Sequence, residues 1–142
     1  MMTPCLLPRE VTMATDARGE EQEDKATRAE RRERYHGIIE SIDANTSLMQ
    51  LPWIRKTTIV RNRSMAGISY EKTEQGLRAA RENGDVIRWD ESDDPDEQTL
   101  VYCLRRESKL ERAVAAVAQR DEVNRELLGM LNQHLAAVRE DL

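Results

Sequence analysis

The stretch from Ile68 to Trp89, ISYEKTEQGLRAARENGDVIRW, constrains the fold more than any other part of the chain. Ser69 is a favoured N-cap residue, and Glu71 puts negative charge in the first helical turn, where the helix dipole favours it. Thr73, Leu77 and Ala80 recur at i, i+4 and i+7 and predict one narrow apolar stripe. Asn83-Gly84 supplies a left-handed stop, after which Asp85-Val86-Ile87-Arg88-Trp89 reads as a strand. Gly76 in mid-helix costs about 1 kcal/mol relative to Ala. Close packing against a neighbouring helix is the expected reason for it.

Elements are expected on both sides of this stretch. Thr27-Arg28-Ala29-Glu30 fits a capping box, opening a helix with Tyr35, Ile38, Ile39 and Ile42 on one face. Its arginines interleave with Glu30 and Glu33, as on a solvated mixed-charge face. Leu51-Pro52-Trp53 predicts the start of a second helix, with Pro at its first position, running to Ala66 and contributing Trp53, Ile54, Ile59 and Val60 to the core. The β-branched run from Thr57 to Arg61 allows a short strand there instead. Downstream, strands are expected over Val86–Trp89 and Thr99–Leu104, the second with one face buried. The loop between them carries six carboxylates and no base. Asp90, Asp93 and Asp94 lack the spacing of an EF-hand, so the loop reads as solvated.

This order of elements resembles the winged helix-turn-helix family of DNA-binding domains. Gly67-Ile68-Ser69 stands where that family has its turn, and Asn83-Gly84-Asp85-Val86-Ile87 where recognition helix gives way to wing. The resemblance covers roughly residues 66–105. It departs from the family at Arg63, four residues before the turn glycine, where a small residue usually packs under the recognition helix. The implied fold is mainly α with a small β-hairpin wing. The implied DNA contacts are Tyr70, Lys72, Gln75 and Arg78 near bases, with Arg55, Lys56, Arg61 and Arg63 near phosphates.

From Glu107 onward no proline interrupts a long helical pattern. Leu110, Val117, Asn124, Leu131 and Val138 recur every seven residues, as do Val114, Asp121, Leu128, Leu135 and Leu142. Eight of these ten positions are apolar, as a coiled-coil seam requires. A helix of about 35 residues would be roughly 50 Å long, more than a domain of about 80 residues can cover. A dimer is therefore expected, held by Leu110, Val114, Val117, Asn124, Leu128, Leu131, Leu135 and Val138. The expected organisation is a disordered tail over 1–26, a winged domain over 27–106 and a dimerisation helix over 107–142. It resembles small archaeal and bacterial winged-helix repressors.

Charge distribution narrows the function. The net charge is −5, yet no Asp or Glu occurs between Asp43 and Glu71, where Arg55, Lys56, Arg61 and Arg63 lie. Indiscriminate coating of nucleic acid is disfavoured by that total. Arginine outnumbers lysine 18 to 4 under an excess of acid, a profile similar to that of haloarchaeal proteins and their viruses. No apolar run is long enough to span a membrane, and the first dozen residues lack the apolar centre of a signal peptide. Met13 is a plausible alternative start, and a cytoplasmic location is expected. Cys5 and Cys103, with His36 and His134, suggest neither a disulfide framework nor a metal site. No catalytic constellation, cofactor motif or small-molecule substrate is evident. The reading is a non-enzymatic, sequence-specific transcriptional regulator that binds double-stranded DNA as a dimer, the acidic wing tip kept off the backbone. The alternative is a winged fold used as a protein-interaction module.

Overall fold

The computed structural model describes residues 28–46 and 51–141. The expected tail over 1–26, the Thr27 cap and the seam position Leu142 lie outside the described residues. Helix α1 covers 28–45. It is followed by β1 (Trp53–Arg55), α2 (Lys56–Met65), α3 (Tyr70–Glu82), β2 (Val86–Asp90), β3 (Leu100–Leu104), α4 (Glu107–Ala118) and α5 (Arg125–Glu140). The fold is mainly helical with one small antiparallel sheet of order β1-β3-β2. Among the described residues no helix is long and apolar enough to cross a membrane.

Strand alternation puts β3 to work on both faces. Tyr102 and Leu104 join Ile38, Ile42, Ile54, Ile59, Leu77, Ala80 and Val86 in one apolar cluster, supplied by α1, α2 and α3. Val101 and Cys103 join Ile87 and Trp89 in a second cluster, closed by α4 and α5. The register agrees with this division: Ile87 pairs with Cys103 and Trp89 with Val101, while Val86 pairs with Leu104. Trp53 pairs with Cys103, and Ile54 with Tyr102. The single buried face expected for β3 is thus two buried faces, because α4 and α5 cover the side that would otherwise meet water.

Those helices are the main correction to the expected architecture. The segment 107–142 is not one long helix. It breaks after Ala118, and Asn124 starts α5 as its N-cap, the side chain accepting from Leu127 N at 3.1 Å. Leu110, Val117, Leu131 and Leu135 are buried within the chain's own second cluster, with Val114, Leu128 and Val138 packed against it. These seam residues thus pack into the chain's own core. Asn124 and Asp121, read as polar interruptions of a zipper, instead belong to the connection between two helices.

The second helix also starts later than expected. Pro52 precedes a three-residue strand, and helix begins only at Lys56. Thr57 to Arg61 is helical despite its β-branching, since Ile59 is fully buried from that helix. Pairing of Trp53–Arg55 with β3 draws those residues into the sheet, a tertiary pairing that local propensity does not encode.

Candidate nucleic-acid interface

Helix α3 is built as its sequence dictates. Ser69 caps it, its hydroxyl accepting from Lys72 N at 3.3 Å. Thr73, Leu77 and Ala80 are all buried. The turn before it closes α2 through Gly67, at φ +84°, with Ile68 N donating to Arg63 O and Gly67 N to Ser64 O, both at 2.9 Å. Gly84, at φ +77°, closes α3 in the same way, with Asp85 N on Ala80 O and Gly84 N on Arg81 O. Gly76 lies against α1: a Cβ there would sit 2.3 Å from Ile38 Cδ1.

The stripe opposite the buried one holds Glu71, Gln75, Arg78 and Glu82, all exposed. Lys72 is exposed on one flank. Tyr70, 52% exposed, lies on the other, where its hydroxyl donates to Glu74 Oε1 at 2.8 Å. Lys56 also reaches that carboxylate and stacks over the Tyr70 ring at 5.3 Å. Burial works against the Lys56 ammonium, but its bonds to Glu74 and Tyr70 outweigh this and raise its pKa. The Lys56 bond, followed by that from Tyr70, lowers the pKa of Glu74. Lys56 therefore acts as a tie between α2 and α3 rather than as a free cation.

The remaining basic candidates are split. Arg55 and Arg61 are exposed, Arg61 on the same outward stripe of α2 as Thr57 and Ser64. Helix α2 opens beside exposed Arg55, without a side-chain cap hydrogen bond and without an acid in its first turn. Arg63 is turned inward and half-buried. Its guanidinium fills the space over Gly37 of α1, where a Cβ would lie 2.5 Å from Nη2. Arg63 thus packs over a glycine of the facing helix. Arg63 Nε is buried without a hydrogen-bond partner, and this side chain is not placed to meet phosphate.

The acidic loop spends half its carboxylates on its own folding. Asp90 Oδ1 accepts from Ser92 N at 2.8 Å and from Thr99 N at 2.9 Å, and Asp94 Oδ1 accepts from Asp96 N. Glu91 accepts from Trp89 Nε1 and pairs with Arg120 at 2.7 Å, while Arg120 lies over the Trp53 ring. Asp93, Asp96 and Glu97 remain exposed. Among the described residues no group of three or more His, Cys, Asp or Glu is arranged to hold a metal ion.

No family model, curated protein or solved structure matches the chain. The functional reading therefore rests on the geometry alone. Sequence reasoning missed the Tyr35–Asp85 bond, which ties α1 to the turn after α3 and is joined by Asn83 Nδ2. It also missed the convergence of Arg78, Arg81, Arg88 and Arg105 on one groove. Sequence carries little signal for either, since the partners lie on different elements.

Proposed function

We propose that the chain is a winged helix-turn-helix protein that binds double-stranded DNA through α3 and performs no catalysis. The observation that carries this reading is the exposed Gln75–Arg78 face of α3. That helix is anchored by three buried residues, follows a glycine turn and precedes a β-hairpin. A helix seated this firmly has its backbone already ordered, so binding need order only the amide and guanidinium side chains. Gln and Arg side chains bond adenine and guanine edges bidentately. Lys72 and Tyr70 flank that face, and Arg55, Arg61 and the uncapped start of α2 supply phosphate contacts. Lys56 and Arg63 drop out of the contact set, and pairing of copies through the 107–142 seam forms no part of the proposal.

The test is selection from random duplexes on the immobilised full chain at several salt concentrations. A sequence motif should be enriched. Gln75→Ala or Arg78→Ala should relax it at one position and weaken binding by about 5- to 150-fold, the equivalent of 1–3 kcal/mol per bidentate contact. Arg61→Ala should weaken all duplexes alike and lower the salt slope by about one. No enrichment at any salt concentration would sink the reading. A second reading, a protein-docking module, is favoured by Glu71 and Glu82 on the outer stripe of α3 and by the exposed acids of the loop. Enrichment of a basic protein partner, with no duplex recovered, would establish it.

A further inference from the structure

Between the C-terminal half of α3, the start of β2 and α5 lies a groove of about 520 Å³. Arg78, Arg81, Arg88 and Arg105 line it, against one carboxylate, Glu82. Elsewhere the chain pairs many of its cations: Lys56 with Glu74, Arg106 and Lys109 with Asp43, Arg120 with Glu91, Arg139 with Glu107 and Glu111. Among the described residues, none of the four groove arginines has a carboxylate within 4.0 Å. One of them is also held in place. Arg105 Nε donates to His134 Nδ1 at 3.1 Å, which leaves both terminal nitrogens of a fixed guanidinium fork for something else. Half-buried Met130 supplies apolar wall to the same groove, while Val86 and Ile87, which border it, give their side chains to the two cores.

We propose that this groove binds an organic phosphate, its anionic end on Arg88 and Arg105 and its carbon body against Met130. Three physical points select that ligand class. Converging guanidiniums suit the planar, bidentate recognition of phosphate oxygens. The volume lies within the range of small-molecule sites, which are concave and partly apolar. A duplex carries its phosphates along a convex outer backbone, whereas a concave groove of this size is shaped to enclose one small molecule. The proposal is independent of whether α3 meets DNA, although Arg78 lies on both faces.

The experiment is calorimetric titration of the full chain with adenosine diphosphate, adenosine and inorganic pyrophosphate as three separate probes. Adenosine diphosphate should bind at least about tenfold more tightly than either of the others, since it alone uses both halves of the groove. Arg88→Gln and Arg105→Gln should each lose at least about tenfold, with Arg88→Lys losing less because it keeps charge without the fork. Circular-dichroism melting of each variant checks that the fold is kept, and the Arg88 pair decides the matter should Arg105→Gln melt early. Equal affinity for adenosine diphosphate and pyrophosphate, no affinity for either, or indifference to both glutamine variants overturns the proposal. Adenosine diphosphate bound with no duplex enriched leaves the groove standing and ends the DNA reading. An enriched duplex with no nucleotide bound does the reverse.

Discussion

Two single residues carry the clearest energetic signatures. Gly76 gives up about 1 kcal/mol of helix propensity to let Ile38 Cδ1 sit where its Cβ would be. Ile38 is fully buried, so it has little room to withdraw. Gly76→Ala should therefore destabilise despite its propensity gain, the overpacking costing about 1–3 kcal/mol. Ile38→Val alone should also destabilise, yet it should rescue Gly76→Ala by removing the clashing methyl. Urea denaturation of the four-member cycle measures the coupling, and additivity would refute the packing account. His134 provides the second. Burial, then the neighbouring Arg105 guanidinium, lowers its pKa from 6.5. The fold thus favours the neutral ring, so its contribution is present above about pH 6.5 and is lost as pH falls through the lowered folded value. His134→Asn keeps an acceptor for Arg105 without titrating. Stability of the wild type should fall more steeply than that of this variant as pH drops below about 6.5. Parallel curves from urea melts across that range would count against the assignment.

At the level of elements, α3 was legible because everything that defines it is local: a cap, a stripe of period 3.6 and a glycine in the left-handed region. The hairpin β2–β3 was legible for the same reason. Strand β1 was not, since three residues become a strand only by pairing with β3 some 50 positions on. The break between α4 and α5 was hidden because residues 119–123 contain neither Gly nor Pro, and the heptad pattern runs on through it. Its one signal was Asn124, a strong N-cap residue three positions before Leu127. The same distinction explains the candidate site: Lys56 and Arg63 have their partners on other elements, so their exposure could not be read from spacing. The break makes a sharp prediction. In a continuous zipper, Asn124→Leu would complete the apolar seam and stabilise the helix. In a hairpin it removes the bond to Leu127 N, and so should cost about as much as Asn124→Ala, on the order of 1 kcal/mol. Urea midpoints of the two variants separate these outcomes.

The molecule's two clusters share one small sheet, and that sharing governs how it should unfold. A three-stranded sheet with strands of three to five residues has little stability of its own. It persists because α1–α3 cover one face and α4–α5 the other, with β3 contributing alternate side chains to each. Loss of either helical layer would bare one whole face of β3, Tyr102 and Leu104 or Val101 and Cys103. Neither layer can therefore melt while the other stays native, and unfolding should be a single transition. Trp53 and Trp89, ring centroids 5.4 Å apart, report on the α4–α5 side, whereas far-ultraviolet circular dichroism reports on all helices. The two signals should trace one urea curve. Leu131→Ala on one side and Ile59→Ala on the other, both at fully buried positions, should each cost about 2–5 kcal/mol and should displace both signals equally. If Leu131→Ala moved the tryptophan midpoint alone, the layers would be independent and the shared sheet would not couple them. Coupling of this kind also ties the α5 wall of the arginine groove to the seat of α3, since both clusters meet through the sheet.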